Sequence, residues 1–151
     1  MLLRERLNDD LKCALRAKDA TRLAVIRGIK AAVLEAETKD RRTSLEDGDI
    51  VGLIAKEVKE RRDVIGEFER AGRRDLVDKA RAEIAILTEY LPQPLSESEL
   101  SRLVDQALQE TGARGMADMK SVMAWLTPRV QGRVEGAAVA VKVKAALSRG
   151  S

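Results

Sequence analysis

The sequence predicts an all-α protein, and three observations carry that prediction. Apolar residues recur at helical spacing over most of the 151 residues. Residues that start or stop helices, Asp19, Gly72, Ser96 and Gly112, fall between the periodic stretches. Only Val139, Val141 and Val143 alternate as a strand would, and no second strand exists to satisfy the backbone of such a segment.

Leu3, Leu7, Leu11 and Leu15 recur every fourth residue and predict a first helix over 2–17. Lys18-Asp19 breaks the pattern, and Asp19 can cap a second helix. On that helix Leu23, Ile26, Val33 and Ala36 share a face with Ile29 or Lys30, and Val25, Ala32 and Leu34 widen it toward two neighbours. Thr38 to Thr43 reads as a loop. A long helix over 47–71 carries Ile50, Ile54, Val58, Ile65 and Phe68, with Arg61 filling the slot between Val58 and Ile65. Its exposed face has i,i+4 pairs such as Lys59–Asp63 and Glu57–Arg61. Gly72 suits the position after its end. A fourth helix over 74–90 brings Ala80, Ile84, Leu87 and Leu91 into register, completing a small bundle.

Leu91-Pro92-Gln93-Pro94 is the clearest boundary, because two prolines in three residues forbid helix continuation. It separates an N-terminal bundle, 1–93, from a C-terminal helical domain, 94–151. Ser96 and Glu99 have capping-box spacing, with Ser96 taking the Glu99 amide and Glu99 returning to the Ser96 amide. Leu100, Leu103, Val104, Ala107 and Leu108 follow at helical spacing, and Gly112 closes that helix. A short helix over 117–126 carries Met119, Val122, Met123 and Leu126, and Thr127-Pro128 either ends it or caps a further turn. The alanine-rich end reads as a helix over 134–148.

Composition removes much chemistry. With no His there is no Ser-His or Cys-His nucleophile pair and no imidazole base, and the single Cys13 can build neither a disulfide nor a structural zinc site. One Phe, one Trp and one Tyr cannot supply a stacking platform for single-stranded nucleic acid. No cofactor or metal is expected. No run approaches a membrane span, and the N-terminus meets Glu5, Asp9 and Asp10 before any apolar signal stretch forms, so the expectation is a cytoplasmic protein without membrane contact.

Several constellations read better as structure than as chemistry. Asp63 and Glu67 lie one turn apart among cations, as an exposed charge network does. Glu46, Asp47 and Asp49 suit a helix N-terminus and lack calcium-loop spacing. Gly112-Ala113-Arg114-Gly115 has the pattern of a phosphate-clamping loop, but the sheet such a loop requires is missing, so a helix cap and tight turn is expected. Met119 and Met123 read as core, and Trp125 as an anchored residue unless it is exposed beside Arg129.

The basic residues remain. Residues 1–95 carry 20 basic and 19 acidic side chains, 96–110 carry one and four, and 111–151 carry seven and two. A net charge of +3 therefore conceals a basic C-terminal region. Lys120, Arg129, Arg133, Lys142 and Lys144, with Arg114 second to them, are candidates for phosphate contact. Arg61, Arg62, Arg73 and Arg74 are candidates for an acidic protein partner, with a clamp from Arg61 to a carboxylate on the neighbouring helix as the structural alternative.

Three stretches carry a family resemblance: Lys56-Glu57-Val58-Lys59-Glu60-Arg61-Arg62, Glu67-Phe68-Glu69-Arg70-Ala71-Gly72-Arg73, and Glu83 through Glu89-Tyr90-Leu91-Pro92. With Ala117-Asp118-Met119, Val122-Met123 and Gly132-Arg133, the chain resembles the GatB/YqeY family of small bacterial proteins over essentially its whole length. The resemblance implies a helical bundle followed by a small helical domain similar to the tail of GatB, the part of the tRNA amidotransferase that holds the tRNA body. The cradle that performs ATP-dependent amide transfer has no counterpart in a chain this short. The family label of carbon–nitrogen ligase with glutamine as amido donor is thus inherited from context, and no catalytic residue is assigned. Lys120-Ser121 stands where the family often has Gly-Lys, which turns the lysine about 100° around its helix. The expected function is a tRNA-binding accessory module, with tRNA-charging or amidotransferase proteins as further partners. The alternatives are an adaptor without an RNA role and, last, an autonomous enzyme.

Overall fold

The computed structural model describes residues 2–39 and 44–149. Among these the chain forms seven α-helices, a single 3-10 turn and no strand: α1 Leu3–Ala17, α2 Ala20–Lys39, α3 Asp47–Arg70, α4 Arg74–Thr88, α5 Glu97–Thr111, the 3-10 turn Met116–Asp118, α6 Met119–Val130 and α7 Gly136–Arg149. No helix among the described residues is long and apolar enough to cross a membrane. Of the predicted loop at 38–43, residues 40–43 lie outside the described residues, and Thr38 belongs to α2. Contacts divide the chain into two compact units, Met1–Leu91 and Pro92–Ser151.

The first unit closes around Leu3 and Leu7 of α1, Val25, Ile26, Ile29 and Val33 of α2, Ile50, Ile54 and Val58 of α3, and Ile86, Leu87 and Tyr90 at the end of α4. The predicted leucine stripe of α1 holds only for its first half. Leu15 is 49% exposed, and Ala14 is buried in its stead. A four-residue step overshoots one turn, so Leu15 has drifted about 120° from Leu3 while Ala14 has drifted only about 20°. Leu34 is likewise exposed at 65%, so α2 is not covered on the flank that it widens. Ile65 and Phe68 are half-buried and stay outside the core cluster.

Backbone caps explain where the helices stop. Gly72 takes φ +69, its amide donates to Glu69 O at 3.1 Å and the Arg73 amide to Phe68 O at 2.9 Å, a Schellman closure of α3. Lys18 closes α1 in the same left-handed region at φ 56 without being glycine, and the Asp19 amide reaches Ala14 O at 3.0 Å. The Asp19 carboxylate then accepts the Arg22 amide at 3.1 Å, starting α2. Asp49 accepts the Glu46 amide at 3.1 Å at the start of α3, and Asp47 accepts the Leu3 amide at 3.1 Å, capping α1 from across the bundle.

The second unit packs Leu100, Val104 and Ala107 of α5, Val122, Leu126 and Val130 of α6, and Val139, Val143 and Leu147 of α7. Met119, Met123 and Trp125 lean on this core from its edge. Ser96 caps α5 by accepting the Glu99 amide at 3.2 Å, but Glu99 does not return to the backbone. It takes the Ser96 hydroxyl at 3.0 Å instead, since Arg133 draws its other oxygen outward at 3.7 Å. The helix α6 runs through Pro128 to Val130 rather than stopping at 126. Pro128 has no amide to give Ala124 O, and side chains donate to the carbonyls on either side of it, Thr127 Oγ1 to Met123 O at 2.7 Å and Arg129 to Trp125 O. The valine alternation of 139–143 is helical, with Val139 and Val143 inside and Val141 68% exposed.

Candidate nucleic-acid interface

The candidate cations of the second unit fall into two groups. Arg133 and Lys142 are held within the unit by α5. Arg133 Nε donates to Gln93 O at 2.8 Å and its guanidinium lies 3.7 Å from Glu99. Lys142 Nζ lies 2.8 Å from Glu97 and donates to Ser101 Oγ at 2.8 Å. The acidic first turn of α5 complements its own dipole and draws in these two cations. That is the structural counterpart of the acidic stretch 96–110.

Arg114, Lys120, Arg129 and Lys144 form the second group. All four are exposed, and none has a carboxylate partner among the described residues. Arg129 is nonetheless fixed: its guanidinium carbon stacks 3.7 Å from the Trp125 ring centroid, and Trp125 is itself packed on the core. Trp125 is thus both an anchored residue and the platform for an exposed cation.

The four do not gather on one flat patch. Lys120 and Arg129 are nine residues apart, about 180° around α6, so they border its solvent face on opposite edges. Ser121, Ala124 and Pro128 lie between them and Thr127 just beyond Lys120, all exposed and neutral. On α7 the solvent face comprises Ala137, Ala138, Val141, Ala145 and Ser148, bordered by Lys142 on the α5 side and Lys144 on the other. Neither α6 nor α7 contains a single Asp or Glu, in a chain with 25 of them.

The Gly112–Gly115 loop is a cap and turn. Gly112 sits at φ +68 and the Ala113 amide donates to Leu108 O at 3.2 Å. The Arg114 and Gly115 amides both go to Asp118, at 2.8 and 3.4 Å, so these amides are spent on the chain itself. The Arg114 side chain remains exposed.

The four candidate partner-binding arginines of the first unit are placed differently. Arg61 realises the intramolecular clamp: it pairs with Glu57 one turn back and approaches Glu83 of α4 at 3.7 Å, while its buried Nε has no hydrogen-bond partner. Arg73 forks onto Asp75 at 3.0 and 3.1 Å, and that hydrogen bond holds the Asp75 carboxyl below its usual range. Arg74 lies 3.7 Å from Asp78, and Arg62 is exposed. Asp63 pairs with Lys59 at 2.7 Å. Cys13 is exposed, its sulfur 3.8 Å from Arg16. Among the described residues no group of three or more carboxylates and thiols comes together as a metal site.

A polar cluster that fastens α1, α2 and the end of α4 left no local signal in the sequence. Tyr90 is 4% exposed and donates to Asp10, with Arg6 stacked 4.5 Å from its ring centroid. Arg22 forks onto Glu89 at 3.0 and 3.2 Å. Burial first, and then the bond to Asp10, pushes the Tyr90 hydroxyl well above its usual pKa. Trp125 and Arg129, one helical turn apart, are visible as a local spacing, as are the i,i+4 pairs of α3.

Fold and charge define an all-α protein of two helical units whose second unit presents acid-free, cation-edged helices. The family profile described as Yqey-like protein matches residues 4–147, and the chain belongs to that family. Its relatives include proteins named altered inheritance of mitochondria protein 41, mitochondrial. The one from Pyrenophora tritici-repentis is 34% identical over 89% of this chain and 72% of its own length. That from Lachancea thermotolerans is 36% identical over 69% of this chain and 57% of the relative, and that from Eremothecium gossypii 30% identical over 96% and 82%. This chain thus spans little more than half the length of some relatives. Their names overturn the expectation of a cytoplasmic protein, and the fungal sources leave the bacterial label unsupported.

Proposed function

We propose that this YqeY-family chain is a binding module for structured RNA, tRNA first, that acts through its second unit and performs no amide transfer alone. The observation that carries the reading is the absence of carboxylates from α6 and α7. A phosphate backbone approaching α6 meets small neutral side chains with Lys120 and Arg129 at the edges, and on α7 it meets Lys144 at the edge away from α5. Small faces let a backbone come close, and the edge cations Lys120, Arg129 and Lys144 suit a polyanion that runs past them. Arg129 is the strongest single contact, because stacking on Trp125 holds its guanidinium in place before binding. Lys120, Lys144 and Arg114 add mobile charges. Arg133 and Lys142 belong to the scaffold that holds α5 against α7. A likeness to the tail of GatB, with the role of holding tRNA that it would bring, is part of this proposal.

Anisotropy of labelled tRNA against the full chain, titrated across potassium chloride, tests the reading. Affinity should fall steadily with salt, and Arg129→Ala with Lys144→Ala should weaken all tRNA species alike. Absent affinity, or affinity indifferent to salt, would refute it, and glutamine-dependent ammonia transfer by the chain alone would refute its non-catalytic part.

A further inference from the structure

A groove of about 400 Å³ opens in the first unit between α1, α2 and the start of α3. Leu7, Val33 and Ile50 form its apolar floor, and Leu34 stands on its rim, 65% exposed. Its charges are not balanced. Arg4 is held by Glu37 at 2.7 Å, and Glu37 also accepts the Leu45 amide at 2.7 Å, so this pair is internally satisfied. Lys30 has no carboxylate among the described residues and donates to Asn8 Oδ1. An ammonium can only donate, so it must face the amide oxygen. That leaves Asn8 Nδ2 and the remaining Lys30 protons as donors available to a carboxylate from outside. Arg27 is exposed and also lacks a carboxylate partner among the described residues. It lies seven residues before Leu34, only about 20° around α2 and roughly 10 Å along it.

We propose that this groove seats an amphipathic helix of a partner protein, with apolar side chains over Leu34 and carboxylates one and two turns further on, at Lys30 and Arg27. Charge complementarity selects the acid: walking along α2 from the apolar rim, the surface offers first one unbalanced cation and then a second at helical-turn spacing. The open form of the groove selects a helix over a free small acid. Small-ligand sites enclose roughly 70–90% of the ligand surface, whereas a helix laid in a groove needs only one covered face. The proposal concerns the first unit alone and stands apart from the RNA reading.

The test is anisotropy of a fluorescein-labelled, stapled helical peptide against the full chain. The peptide carries two leucines one turn apart, followed by glutamates one and two turns further on. Saturable binding is expected, weakened at least about tenfold by Leu34→Asp, by Lys30→Glu, or by exchanging the peptide glutamates for lysines. Arg74→Glu should leave binding unchanged. Because Leu34 is exposed, its variants should keep the wild-type melting temperature, and Leu34→Ala should act in the same direction more weakly. Absence of saturable binding, or equal affinity for the Leu34→Asp and Lys30→Glu variants and the wild type, would overturn the proposal. Full displacement by decanoate would also overturn it by giving the groove to a small acid. Self-association abolished by Leu34→Asp would do so by giving it to a second copy.

Discussion

In the first unit Arg4, Arg22, Arg61 and Arg81 each reach a carboxylate on another segment, at 2.7, 3.0, 3.7 and 3.1 Å. In the second unit Arg133 and Lys142 do so, both toward the start of α5. The first unit uses its nearly balanced charges to fasten helices together. The second keeps Lys120, Arg129 and Lys144 at the edges of two acid-free helices. Net charge for the whole chain averages over this difference, so its small value says little about what either surface can bind.

The comparison can be broken first at the cores. Leu126 is fully buried in the second unit, and Leu126→Ala should cost about 2–5 kcal/mol in denaturant unfolding. A loss under about 1 kcal/mol would mean that α6 is not the centre of that unit. Next, Tyr90→Phe should destabilise the first unit by about 1–3 kcal/mol, because Asp10 loses its donor. The folded pKa of Tyr90 is raised above its unfolded value, so this contribution is full below about pH 10 and is lost as pH rises beyond it. Tyr90 is the sole tyrosine. Tyrosinate absorbance should therefore rise only together with alkaline unfolding, and ordinary titration near about pH 10 in folded protein would contradict the buried cluster.

Smaller effects sharpen the contrast. Ser96→Ala should cost about 1 kcal/mol by uncapping α5. Lys18→Gly should stabilise by roughly 0.5–1 kcal/mol, since glycine adopts the left-handed closure of α1 without strain. Lys142→Ala should cost at most about 1 kcal/mol and leave tRNA affinity nearly unchanged, whereas Lys144→Ala should do the opposite. Equal losses of affinity for the two lysines would erase the division between scaffold and surface.

Local signals made the helices legible. Asp19, Gly72, Ser96 and Gly112 act where cap chemistry puts them, and the buried faces of α2, α5 and α7 follow 3.6-residue spacing. Leu15 and Leu34 misled because periodicity registers apolar character without saying whether a neighbour is present. Pro128 sits inside α6, whose last turn still closes with the Gln131 amide on Thr127 O at 3.0 Å, which a rule about proline alone does not anticipate. Of the site, the cations were legible as residues, but their division was not. Arg133 with Glu99, and Lys142 with Glu97, are contacts across more than thirty residues of sequence, set by how α5 and α7 pack. The Lys30–Asn8 edge of the groove was hidden for the same reason.

The most direct test of the central claim compares the salt dependence of tRNA binding for two double variants of the full chain. Arg129→Ala with Lys144→Ala should lower affinity and flatten the log–log salt slope by about two, one for each lost phosphate contact. Arg133→Ala with Lys142→Ala should leave the slope near wild type while lowering the melting temperature. Loss of slope in the second pair and not in the first would contradict the account.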